Sequence, residues 1–191
     1  MTQSALLDQL EIDIRDLLEI VRAELGRADN QVLTQRPAPD AWNALECFAH
    51  LNAVCNLYFP KIEKAIHKAK ARQWRPGDEV KYNWTGQRAV RAVDPSNLSR
   101  KKHRSPKRFD FQFQPVPPTA LKAFLINYEM LLRFVQQCRD VDLNRPRIPT
   151  GRFSLFSFRL GNLLEYYVLH AKLHVAQALH AAATLSAKVS G

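Results

Sequence analysis

Four stretches of this chain repeat apolar residues at steps of three and four, and that period limits the fold more than anything else in the sequence. In the first, Leu7, Leu10, Ile14, Leu17, Val21 and Leu25 form one stripe on a helix of about residues 3–25. Asp8, Glu11, Asp13, Asp16 and Glu19 fill other positions, and Gly26 and Asp29-Asn30 close the stretch. The second covers about 43–70, with Leu45, Phe48, Leu51, Cys55, Tyr58, Ile62 and Ile66 on its apolar face. Asn43 followed by Glu46 is a capping-box pattern at its start. Pro60 lies inside it and predicts a kink or break there. The third covers about 118–139, with Leu121, Phe124, Leu125, Tyr128, Leu132 and Val135 inward, and Pro118 suits its first turn. The fourth covers about 154–187 and carries Leu160, Leu163, Leu164, Tyr167, His170, His174 and Ala178 at helical spacing. Gly161 is costly inside a helix by about 1 kcal/mol, and a close helix approach would explain it.

These stretches predict an all-α fold, a four-helix bundle in a single domain over 1–191. One connection breaks the pattern. Residues 71–117 are far longer than the roughly 2–8 residues that usually join bundle helices, so the second and third helices are joined by a long crossover. It holds eleven Lys and Arg against four Asp and Glu, most of the chain's net charge of +10. Its aromatics, Trp74, Tyr82, Trp84, Phe109, Phe111 and Phe113, alternate with these cations. Such a segment can pin itself to the bundle, cover an anionic substrate, or bind single-stranded nucleic acid through phosphates and stacking. No helix-turn-helix or RNA-binding consensus supports the last reading.

Several function classes are excluded. Six glycines in 191 residues are under half the usual share of about 7%, and they write no Walker or Rossmann phosphate loop. Cys47, Cys55 and Cys138 are too few and too odd in number for a disulfide framework. Cys47 and Cys55 are about 12 Å apart along one helix, beyond bridging reach. The N-terminus lacks the basic and apolar regions of a signal peptide, and no apolar run approaches the roughly 20 residues of a membrane span. A cytoplasmic protein with no membrane association is the expectation.

Candidate chemistry rests on histidine. His170 and His174, four apart, share one helix face and can point at a single ion. His50, set among Phe48, Leu51 and Cys55, is the natural third ligand. Three neutral imidazoles suit Zn, Ni, Fe or Cu and leave a coordination position open, the pattern of a catalytic site. A buried cluster of satisfied histidines is the alternative for the same residues. His67 and His180 fall about 80–100° away round their helices, and His103 lies in a basic run, so these three read as surface residues. Glu46, Tyr166 and Gln177 stand one helical turn from the three ligand candidates and are candidate partners of their second ring nitrogens. Capping is the preferred role for Glu46, packing for Tyr166 and that of a small buried apolar residue for Cys47, with a thiolate ligand as the lesser reading of Cys47.

Trp42-Asn43-Ala44-Leu45-Glu46-Cys47-Phe48-Ala49-His50-Leu51, Leu160-Gly161-Asn162-Leu163-Leu164 and His170-Ala171-Lys172-Leu173-His174-Val175-Ala176-Gln177 resemble the DinB/YfiT-like superfamily. Trp84-Thr85-Gly86 and Ser105-Pro106-Lys107-Arg108-Phe109 are similar to one branch of it. The resemblance covers nearly the whole chain. It implies a four-helix bundle with a long crossover, often a homodimer, with Ni or Zn held by His50, His170 and His174; Fe or Mn are further metals considered. Many relatives have a basic residue before the last histidine, where this chain has Leu173. The resemblance implies a divalent-metal-dependent enzyme, a transferase using a low-molecular-weight thiol or a hydrolase, acting on a small anionic or electrophilic substrate. A non-catalytic dimeric stress or interaction protein with a vestigial site, and a nucleic-acid binder acting through the basic segment, are the alternatives.

Overall fold

A computed structural model describes residues 1–97, 105–112, 114–150 and 156–189. The chain is mostly helical: α1 (Gln3–Leu25), α2 (Asn30–Thr34), α3 (Ala44–Ala71), α4 (Trp84–Val93), α5 (Ala120–Gln137) and α6 (Leu160–Val189), with a hairpin of β1 (Arg147–Thr150) and β2 (Phe156–Arg159). No described helix is long and apolar enough to cross a membrane.

The long helices form where their sequences can both cap and bury them. Thr2 accepts the Ala5 N–H at the start of α1. Asn43 and Glu46 close the expected capping box on α3: Asn43 Oδ1 accepts the Glu46 N–H at 2.8 Å, and Glu46 Oε2 accepts the Asn43 N–H at 2.9 Å. That pair satisfies two N–H groups that a helix start otherwise leaves orphaned. The apolar stripe of α1 is buried from Leu6 to Leu25. It packs on α5 and α6, and α3 packs on the same two helices, so all four contribute to one core. Tyr128 and Tyr167 sit within that core, and both hydroxyls reach backbone carbonyls, Tyr128 to Tyr167 O at 3.4 Å and Tyr167 to Val54 O at 2.9 Å. Burial of a phenol is tolerable on those terms.

Four expectations change on contact with the structure. Pro60 does not end its helix: α3 runs through it to Ala71. Pro60 and Asn56, whose carbonyl loses its N–H partner there, are both exposed, so the missing bond falls on the side of the helix open to solvent. The buried line of α5 is Phe124, Tyr128, Leu131, Phe134 and Val135, while Leu121, Leu125 and Leu132 are only partly buried at its flanks. The fourth long helix begins at Leu160 rather than near 154. Residues 156–159 instead pair antiparallel with 147–150, Ile148 opposite Phe158 and Pro149 opposite Ser157. Helical spacing cannot see such a pair, because its bonds go to a partner strand. Gly161 does mark a close approach, but to the loop before the hairpin: a Cβ there would lie 3.2 Å from Leu143 Cβ.

The connection from α3 to α5 is folded where it is described. It holds α4, which packs on α6 and β2, and a 3-10 turn at Lys107–Phe109 that packs on α3. Polar contacts tie it down. Lys81 N–H donates to Asn144 Oδ1 at 2.7 Å, and Asn83 Nδ2 and Thr85 Oγ1 donate to Ser157 O at 2.6 and 2.7 Å. Trp74 and Phe109 add partly buried rings, whereas Trp84 is 66% exposed. The basic run with His103 lies outside the described residues.

Candidate metal centre

His50 stands in the second turn of α3, and His170 and His174 stand one turn apart in the middle of α6. Helix packing brings them together. His170 Nε2 lies 3.1 Å from His50 Nε2 and 3.1 Å from His174 Nε2. The three are 4%, 6% and 8% exposed. Among the described residues they are a group of converging ligand atoms able to hold a metal ion.

What the other ring nitrogens do decides the chemistry. His50 Nδ1 is 2.7 Å from the carbonyl of Phe109, which only accepts, so that nitrogen carries the proton. His174 Nδ1 is 2.8 Å from Gln177 Oε1, and the same logic applies. In the neutral rings, Nε2 of both His50 and His174 is then a bare lone pair. His170 Nε2 sits between them and has at most one proton to donate. His170 Nδ1 is buried with no hydrogen-bond partner among the described residues. Hydrogen bonding within the trio therefore leaves at least one lone pair aimed at other nitrogens, a costly arrangement in a desolvated site.

A cation removes that cost. Two imidazole nitrogens bound to one ion at about 2.0–2.1 Å, subtending about 90–109°, are about 2.8–3.4 Å apart. The observed 3.1 Å separations fall in that range. Burial lowers the His170 pKa well below 6.5, and the neighbouring His174 and His50 push it the same way. Burial also lowers that of His50, opposed by the Phe109 carbonyl and by Asp110. Neutral imidazole is the ligating form. The donor set and these two separations fit a divalent ion, and all three ligand atoms lie within 4.8 Å of one another.

The surroundings separate the candidate partners. Gln177 Oε1 meets His174 Nδ1. Glu46 does not serve His50, whose two nitrogens are directed at Phe109 and His170. Its carboxylate, 2% exposed, is engaged in the capping box and in an ion pair with Arg36. Tyr166 stacks on the His170 ring, centroids 5.1 Å apart and planes 17° from parallel, and leaves Nδ1 unbonded. Cys47 is not in the converging group. Burial, with Glu46 adding repulsion, pushes its thiol up to about 12, so it stays protonated at neutral pH. His67 and His180 are exposed, as expected.

Two contributors escape a reading of the sequence. Trp42 lies flat against His174, centroids 5.6 Å apart at 19°, and 5.1 Å from the His50 ring. Its place just before the N-cap of α3, at the head of the Trp42–Leu51 motif, is the signal available. Phe109 acts through its carbonyl, which carries no side-chain signature. The surface concavities between α1 and α5 and beside the start of α1 do not reach the histidines.

The family model of the DinB superfamily matches residues 9–178, a span that includes all three histidines. No curated protein and no solved structure matches the chain. With nearly its whole length covered by that one match, the chain belongs to the DinB superfamily.

Proposed function

We propose that this protein is a divalent-metal-dependent enzyme, built on a four-helix bundle with a long basic crossover, in which His50, His170 and His174 hold the ion. One observation carries the reading. Three Nε2 atoms converge, and the Phe109 carbonyl and Gln177 leave two of them as bare lone pairs. Ni and Zn match an all-imidazole donor set best, with Fe and Mn as weaker fits. Three protein ligands leave a position for a substrate or water.

Bound there, a divalent cation supplies Lewis acidity, lowering the pKa of a thiol or water held beside it. The chain's own residues do the rest. Gln177 and the Phe109 carbonyl hold the His174 and His50 rings in the tautomer that presents Nε2. Trp42 and Tyr166 wall the imidazoles with apolar surface and keep water from the ring faces. This architecture serves either transfer of a low-molecular-weight thiol to an electrophile or hydrolysis.

The test is reconstitution. Protein stripped with chelator, then incubated with Ni(II) or Zn(II) and desalted, should retain one ion per chain by elemental analysis. The His170→Ala, His174→Ala double variant should retain none. Wild type that holds no more metal than the double variant would overturn the reading.

A further inference from the structure

A coordination position open to substrate needs a way in, and the three imidazoles are all buried. Three aromatic residues stand against them: Trp42, Tyr166 and Phe109. The first two are held from more than one side. Tyr166 belongs to α6 and lies nearly parallel to two rings, His170 with centroids 5.1 Å apart and Phe158 of β2 with centroids 6.1 Å apart. The chain is pinned on both sides of Trp42. Arg36 Nη1 donates to Ala41 O at 2.9 Å, and Asn43, the N-cap of α3, donates through Nδ2 to Thr34 O at 2.8 Å.

Phe109 is anchored differently. Its N–H donates to Pro106 O at 2.8 Å, and the Asp110 N–H donates to Lys107 O at 3.3 Å, so the turn closes on itself. The Gln112 N–H turns back to Asp110 Oδ1 at 3.0 Å. The Arg108 guanidinium lies over the ring of its own neighbour, 4.5 Å from the Phe109 centroid. Among the described residues, the bond between the Phe109 carbonyl and His50 Nδ1 is the one hydrogen bond that joins residues 105–112 to another element. The partly buried Phe109 ring adds an apolar contact with the core, while Pro106, Lys107 and Arg108 are exposed. A segment with one outward bond and little buried surface opens at a lower free energy than the helices beneath it.

We propose that the Lys107–Phe109 turn is the lid of the histidine centre, lifting from α3 to admit a ligand and closing again over it. The inference rests on the metal reading above, because it takes the incoming ligand to bind an ion at the three histidines. Lifting the turn breaks the Phe109–His50 bond. The movement that uncovers the site therefore also frees the His50 ring from the acceptor that fixes its tautomer, and closure restores both. Entry and ligand orientation are coupled through one backbone carbonyl, so the fully ordered centre exists with the lid shut and water excluded.

Co(II)-loaded protein offers a readout that needs no turnover, since its visible absorbance changes when a thiolate joins the ion. In rapid mixing, the observed rate should rise with thiol concentration and level off at the opening rate. The plateau should be the same for 2-mercaptoethanol and mercaptoacetate, because opening precedes binding. Phe109→Ala should raise the plateau about tenfold, as one partly buried ring no longer holds the turn down. Phe109→Leu, which keeps an apolar side chain, should raise it less, and it carries the comparison if Phe109→Ala does not fold. A wild-type rate that climbs linearly through the highest concentration would overturn the lid. So would plateaus that differ between the two thiols, or a plateau that neither substitution moves. Wild type that fails to bind Co(II) would overturn the metal reading and this one together; Co(II) that binds without a shared plateau overturns the lid alone.

Discussion

The carbonyl of Phe109 lies 2.7 Å from Nδ1 of His50, although 59 residues separate them. The contact makes the long connection between α3 and α5 part of the centre. It holds the His50 proton on the outer nitrogen and turns the lone pair inward, toward His170. A backbone carbonyl does this as well as a carboxylate would, and it adds no charge to the site.

Gln177 has the matching task at His174, through a side chain that can be removed. Gln177→Ala should weaken Zn(II) affinity by about 10–100-fold, the usual cost of losing a partner that orients a ligand. His174→Ala should weaken it further, because a ligand goes rather than its support. Competition titration against a chromophoric chelator measures both. A Gln177→Ala affinity equal to wild type would show that the ring is oriented without Gln177.

Acid should destabilise the metal-free protein in a defined window. His50 and His170 have folded-state pKa values below the unfolded value of 6.5, both chiefly through burial. The unfolded chain therefore binds more protons than the folded chain once the pH drops under about 6.5. Stability present above that pH is lost as the pH falls toward the lowered values. Urea midpoints of chelator-stripped protein at pH 7.5, 6 and 5 should decline in that order. His170→Gln, which removes the more strongly shifted group, should flatten the decline. An equal slope in the variant would mean that other groups govern the acid response.

Glu46 separates fold stability from metal affinity. Its carboxylate caps α3 and faces Arg36. Glu46→Ala should cost about 1–2 kcal/mol from the lost cap, and Arg36→Ala about 1–3 kcal/mol from a buried carboxylate left without its cation. Both should leave Zn(II) affinity at the wild-type level, since the His50 nitrogens face Phe109 and His170. A large loss of affinity in a variant that stays folded at the assay temperature would restore Glu46 to the metal site.

Gly86 should behave opposite to an ordinary helix glycine. Replacing glycine by alanine in an open helix gains about 1 kcal/mol. At Gly86 a Cβ would stand 2.7 Å from both Cβ and Cγ of Asn162, which is fully buried. Asn162 in turn accepts the Asn83 N–H and donates to Lys81 O, each at 3.4 Å. Gly86→Ala should therefore destabilise by about 1–3 kcal/mol, as overpacking does, read as a shift in the thermal midpoint. A midpoint above wild type would mean that α4 moves off α6 at no cost.

The sequence by itself determined the four long helices, apart from where the last one starts, and the identity of the converging residues. A step of three or four apolar residues is a property of one segment, and so is the Asn43–Glu46 capping box; neither needs a tertiary partner. The His170–His174 spacing likewise places two rings on one face of one helix. Only the tertiary structure decided the rest, because the missing information is relational. A strand such as 156–159 exists through hydrogen bonds to 147–150. The role of Glu46 depended on Arg36 standing opposite it, and that of Tyr166 on stacking with His170 rather than bonding it. The proton on His50 is set by a carbonyl from the connection between α3 and α5, a group every residue carries and no residue type announces.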